Sequence, residues 1–118
     1  MKLYEYIAAK KHLPFEYGTN DCVLFSVGWQ EIRADKKYLP ETLWTSEAEA
    51  VALTKARGGL IAVFDAAFTR IDPAYARDGD LTVCEGVASL FSGVHIVSVS
   101  KQGLIYKSRQ DARNAWTV

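Results

Sequence analysis

Residues Phe15–Phe25 read Phe-Glu-Tyr-Gly-Thr-Asn-Asp-Cys-Val-Leu-Phe, and this stretch changes from a polar turn to an apolar segment at Cys22. Asn20 and Asp21 are residues that favour the first position of a helix. The pattern predicts a helix from Asp21 to about residue 34, and its apolar residues on most faces indicate that it is buried. Because a helix N-terminus stabilises negative charge, we expect that the Cys22 thiol can ionise near neutral pH.

The composition predicts one ordinary globular domain over residues 1–118. The chain carries 14 basic and 14 acidic residues, and this zero net charge argues against a nucleic-acid partner, which would favour a basic excess. Neither Cys22 nor Cys84 lies in a pattern with zinc-ligand spacing, so we expect no metal and no other cofactor. Two cysteines also fall short of the dense disulfide framework of small secreted domains.

The chain is expected to be soluble. Its first residues, Met1–Tyr6, include the charged Lys2 and Glu5 and lack the apolar core of a signal peptide. No apolar run approaches the roughly 20 residues that cross a bilayer, so no membrane span is predicted.

The remaining elements divide into helices in the first half and strands in the second half. Further helices are predicted at Leu3–Lys11, from Ser46 to about Lys55, and at Leu60–Phe68. Strands are predicted at Leu81–Cys84, Val94–Ser100, Leu104–Ser108 and, as a short last strand, Trp116–Val118. Helices followed by an antiparallel meander indicate an α+β fold, with the N-terminal helices packed on a C-terminal antiparallel sheet.

A nucleophilic cysteine requires a base, and the chain has only two histidines, His12 and His95. His95 lies on the same face of its strand as Val97 and Val99, which suits either a core histidine or a site residue. Cys22 is likewise either an inert small hydrophobe or a reactive thiol. Cys84 is interpreted as a core residue of its strand.

Four patterns follow one another in an order that is familiar from one superfamily. They are the helix start at Pro14–Cys22, the glycine pair Gly58–Gly59, the strand start at Ala76–Asp80, and the terminal Ala115–Val118. The predicted strand Val94–Ser100 adds the sequence His95-Ile96-Val97. The chain thereby resembles the NlpC-type papain-like cysteine peptidases of cell walls. It is most similar to a compact branch of that superfamily found among phage tail proteins.

The resemblance implies a papain-like topology and a set of site residues. Cys22 would be the nucleophile and His95 the base, brought side by side by the fold. Ser108 would orient the histidine ring, with Gln110 as an alternative. Phe15 and Tyr17 would line the substrate cleft, and Asp21 would shape it at the start of the helix. The reaction would be hydrolysis of amide bonds in peptidoglycan stem peptides.

The sequence also departs from the family, and the departures define alternative functions. Val23–Leu24 replaces a Ser-Gly pair, Val97 replaces a glycine, and Lys107 cannot accept a proton from a histidine ring. A catalytically weak or inactive scaffold, serving as a structural or assembly component of a phage tail tip, is therefore the alternative. An amidase or acyltransferase on the same pair, and a domain with an inert cysteine, also remain open. Partners would be a peptidoglycan peptide or other tail proteins, in the virion or in the bacterial cytoplasm before assembly.

Overall fold

The computed structural model describes all 118 residues, Met1–Val118. It contains four α-helices: α1 (Leu3–Lys10), α2 (Cys22–Ala34), α3 (Glu47–Ala56) and α4 (Leu60–Ala67). Six strands follow: β1 (Thr69–Ile71), β2 (Leu81–Cys84), β3 (Val87–Ser92), β4 (His95–Ser100), β5 (Gly103–Ser108) and β6 (Ala115–Thr117). The predicted α+β class, with helices before an antiparallel sheet, is confirmed.

The six strands form one sheet in the order β1-β6-β2-β3-β4-β5, and every neighbouring pair is antiparallel. Two-residue loops connect β2 through β5, because Cys84 pairs with Val87, Ser92 with His95, and Ser100 with Gly103. Loops of this length fix the strand register tightly. The last strand, β6, returns to lie between β1 and β2.

Helix α2 packs on one face of the sheet. Phe25 of α2 is 1% exposed, and Leu90 of β3 and Val97 of β4 are completely buried in the same cluster. Burial of each such side chain contributes roughly 1.5–3 kcal/mol. Alternate residues, including Phe91 and Ile96, form a second cluster on the opposite face of the sheet. The sheet is therefore covered on both sides.

A buried polar network connects the second half of α2 to the start of β2. Gln30 donates through Nε2 to the carbonyl of Gly79 (2.7 Å), and its Oε1 accepts from Arg33 Nε (2.7 Å). Arg33 also donates to Asp80 Oδ1 at 2.7 Å, and Asp80 Oδ2 accepts from the Arg77 backbone N–H at 2.8 Å. The Gly79–Asp80 pair therefore fixes where α2 lies on the sheet.

Two strands were not predicted from the sequence, namely β1 and β3. Strand β3 matters more, because it lies between β2 and the strand that carries His95. The loop before β3 is a two-residue hairpin loop, and its residues Glu85 and Gly86 both have positive φ, of 52° and 78°, as the I′ type requires. In the sequence, Gly86 is the only residue that indicates such a loop. A residue other than glycine at the first loop position weakened that signal.

Gly79 offers a test of how tightly α2 is seated. Its φ is +92°, and a Cβ there would overlap the indole Nε1 of Trp29 on α2. Gly103 has a similar φ of +100°, but a Cβ there would meet no atom within 4 Å. We expect Gly103→Ala to lower the free energy of unfolding by about 1–2 kcal/mol through backbone strain alone. Gly79→Ala should cost about 1–3 kcal/mol more through overpacking.

Urea unfolding of both variants, followed by circular dichroism, measures the difference. If the two variants lose equal free energy of unfolding, α2 shifts away from residue 79 without cost, and the close packing of Gly79 on Trp29 does not matter for stability.

Candidate functional site

Asp21 caps helix α2 and organises the turn before it. Its Oδ1 accepts a hydrogen bond from the Leu24 backbone N–H at 2.9 Å. Its Oδ2 accepts from the Gly18 backbone N–H at 2.9 Å and from Trp44 Nε1 at 2.7 Å. The side chain is almost completely buried, with 2% of the residue exposed. Asp21 thus supports Cys22, the next residue, through three donors from three parts of the chain.

Cys22 opens on a large cleft of about 1010 Å³. The cleft is lined by the first turns of α2, the segment 38–44, helices α3 and α4, and the hairpin loop before β3. Most of the residues that line it are hydrophobic, as in pockets that bind small molecules or peptides. Tyr17, Asp21 and Cys22 all line it. Sequence reasoning did not predict the contribution of α3 and α4.

Burial raises the pKa of the Cys22 thiol, and the nearby charge of Asp21 raises it further. Backbone N–H groups of Ala88, Val23 and Cys22 itself act in the opposite direction, but burial is the largest effect. The thiol is therefore protonated at neutral pH. The expectation of a Cys22 that ionises near neutral pH is wrong, because loss of hydration outweighs the favourable helix terminus.

The structure does not bring His95 to Cys22. The Cys22 sulfur lies against the backbone of Ala88, near the start of β3. His95 is the first residue of β4 and pairs with Ser92, at the other end of β3. Ser92 lies four residue steps along the strand from Ala88, a distance of about 13 Å. The predicted side-by-side placement of Cys22 and His95 is therefore wrong.

The physical reason is the additional strand. Without β3, the His95 strand would follow β2 directly. With β3 in place, Gly86 and Val87 line the cleft beside Cys22, and His95 does not. The residue that the sheet presents to the thiol is thus Ala88, whose methyl side chain has no proton to exchange.

His95 and Ser108 are neighbours, as predicted, but far from the thiol. They are paired across β4 and β5, and both are exposed. The His95 ring packs edge-on against Tyr106, with 5.6 Å between ring centroids. The Ser108 hydroxyl accepts from the Gln110 backbone N–H at 3.2 Å. These residues form part of the sheet surface.

The two predicted cleft aromatics have different positions. Tyr17 lines the cleft, whereas Phe15 packs against the core and meets the Tyr17 ring edge-on at 5.0 Å. Burial raises the pKa of Tyr17, and the negative charge of Glu47 raises it further. Glu47, at the first turn of α3, therefore lies near the phenol. Sequence reasoning missed it because α3 was interpreted only as a capped helix.

Two further properties bear on the chemistry of the chain. No group of three or more histidine, cysteine or acidic side chains is arranged to hold a metal ion. None of the helices combines the length and apolarity needed to cross a bilayer.

Replacing Asp21 tests the carboxylate that builds this site. In Asp21→Asn, an amide N–H₂ must replace one oxygen and face a backbone or indole donor. A buried donor left without a partner costs about 1–3 kcal/mol, so the free energy of unfolding should fall by that amount. Asp72→Asn is the matched control, because exposed Asp72 accepts from one backbone N–H only, that of Ala74. Equal urea midpoints for the two variants would contradict this account.

The ionisation of Cys22 can be measured in a Cys84→Ala background, where it is the only thiol. Because burial raises its pKa, iodoacetamide labelling should be slow at pH 7 and should accelerate only above the ordinary thiol pKa of about 8.5. His95→Ala should leave the rate–pH curve unchanged, since the two residues do not touch. Rapid labelling below pH 8, or a shifted curve in the His95 variant, would contradict the geometry.

Comparison with known proteins assigns the chain to a family without a described function. No curated protein matches the chain, and no solved structure matches it. A family model described as a domain of unknown function, DUF6950, matches residues 1–118, the whole chain. The protein therefore belongs to the DUF6950 family.

Proposed function

We propose that this protein is an NlpC-like, papain-type scaffold that has no peptidase activity and serves as a structural or assembly component of a phage tail tip. The order of sequence motifs supports the relationship to that superfamily. The helix cap at Asp21 and the cleft beside Cys22 support a retained binding function. In this role the protein would reside in the virion, or in the bacterial cytoplasm before assembly.

The observation that carries the proposal is the isolation of the Cys22 thiol. A cysteine nucleophile must be deprotonated by an adjacent base or already be a thiolate. Here His95 lies at the opposite end of β3, and burial keeps the thiol protonated. The Asp21 carboxylate accepts three hydrogen bonds and is not free to act as a base. The cleft can hold a ligand, but it lacks the groups that would cleave one.

The second candidate is the NlpC-like cysteine hydrolase acting on peptidoglycan stem peptides. One observation favours it: Cys22 is the first residue of α2, and backbone N–H groups near its sulfur oppose the effect of burial on its pKa, as groups that stabilise an oxyanion would. The Cys22 sulfur would attack an amide carbonyl, the thiol proton would pass to the leaving amine as the C–N bond breaks, and water would then hydrolyse the resulting thioester. His95 as placed cannot transfer that proton.

A genetic comparison in the genome that encodes the chain separates these two functions. The assembly role predicts that deletion abolishes tail formation, whereas Cys22→Ala supports normal tails, since the thiol performs no chemistry. Electron microscopy of particles and plating efficiency measure the outcome. Purified wild-type protein should release no products from murein peptides, as measured by chromatography.

Two results would contradict the assembly role. One is a Cys22→Ala variant that folds normally but fails in tail formation as completely as the deletion. The other is murein cleavage by the wild type that is lost in Cys22→Ala, which would establish the hydrolase.

A further inference from the structure

Helix α3 presents a stripe of side chains to the cleft without burying any residue. Glu47, Val51 and Lys55 are spaced by four and therefore share one face of the helix. All three line the cleft. No residue of α3 is buried, and Val51 is 56% exposed. Val51, the apolar member of this row, therefore remains uncovered between two charged side chains at the rim of the cleft.

The cleft carries opposite charges at its two ends. Glu47 lies at the end near Cys22, since it follows Trp44 by three residues and the Trp44 indole bonds to Asp21. Lys55 and Arg57 line the cleft at the other end of α3. The ion pairs of the structure join other residues, and none of these three takes part in one. The helix dipole explains why an acidic residue lies at the start of α3 and basic residues at its end. It does not explain why the side chains at both ends line the cleft.

The dimensions define what would fit. Lys55 lies eight residue steps along the helix from Glu47, a distance of about 12 Å. An extended chain rises about 3.3 Å per residue, so about four residue steps span that distance. Between the charged ends, the cleft wall is apolar, with Val51, Leu60 and Val63 among its members.

We infer that the cleft binds an extended segment of a partner protein in which three apolar residues separate a basic residue from an acidic one. The basic residue pairs with Glu47, and the acidic residue pairs with Lys55 and Arg57. The middle apolar residue covers Val51, since side chains alternate along an extended chain and only this one points the same way as the charged pair. This inference rests on the proposed function, in which the cleft holds a partner rather than a substrate. Charge complementarity at both ends distinguishes this occupant from a purely apolar ligand.

Three acetylated, amidated peptides test the inference by calorimetric titration of the full chain at low salt. Their sequences are Lys-Leu-Val-Leu-Glu, Lys-Leu-Val-Leu-Lys and Glu-Leu-Val-Leu-Glu. The wild type should bind the first peptide about two- to fivefold more tightly than either of the others, as expected for exposed ion pairs. Screening in 0.5 M salt should remove this preference.

Charge-reversal variants should switch the preference. Glu47→Lys makes both ends basic and should favour the Glu-Leu-Val-Leu-Glu peptide. The double variant Lys55→Glu, Arg57→Glu makes both ends acidic and should favour the peptide with two lysines. Lys101→Glu, in the exposed β4–β5 loop, should leave the wild-type order unchanged. If circular dichroism shows that a variant is unfolded, the order of the three peptide affinities for the wild type, and its loss in salt, test the inference instead.

Several results would overturn the inference: no binding of any peptide, equal binding of all three, or an order that the variants do not change. A dimer in sedimentation experiments that Glu47→Lys disrupts would also overturn it, because the occupant would then be a second copy of the chain. Failure of the peptides leaves the tail-formation comparison unaffected, so the two proposals can fail separately.

Discussion

The cleft depends on one buried group, the carboxylate of Asp21. Leaving a charge in the interior is costly unless hydrogen bonds replace the lost water. Asp21 meets this constraint with donors from the turn at Gly18, the first turn of α2 at Leu24, and the side chain of Trp44. These three segments are thereby held together at the mouth of the cleft. The same bonds occupy the carboxylate, so the group that builds the site does not act in proton transfer.

A second carboxylate holds the other half of α2. Asp80 joins Arg33 of α2 to the start of β2, and Gln30 bonds to the adjacent Gly79 carbonyl. The Gly-Asp strand start, which in the sequence suggested a peptidase motif, therefore has a structural role here. With both halves anchored, α2 lies along β3, so that Cys22 meets the start of that strand. His95, across from the end of β3, is then held away from the thiol.

The separation of Cys22 from His95 and the size of the cleft lead to the same interpretation. We propose that the buried thiol, which has no adjacent base, takes part in no reaction. The open cleft, with an acidic side chain at one end and two basic side chains at the other, would then serve recognition. Binding energy can come from apolar burial along the cleft, while charges at its ends select the partner. This division of roles needs no reaction at Cys22.

The sequence by itself determined the α+β class, the position of α2 and the first-turn location of Cys22, because turn residues, helix caps and apolar periodicity act locally. It also predicted the strand that holds His95 and its pairing with the strand of Ser108. Only the tertiary structure decided which residues meet. Strand β3, whose hairpin loop begins with Glu85 rather than with a typical turn residue, displaced His95, and burial reversed the expected ionisation of Cys22. The charged residues Glu47, Lys55 and Arg57 line one cleft only because α3 packs next to α4, on the rim of the cleft that also contains Cys22. Contacts between distant segments depend on packing that no local pattern records.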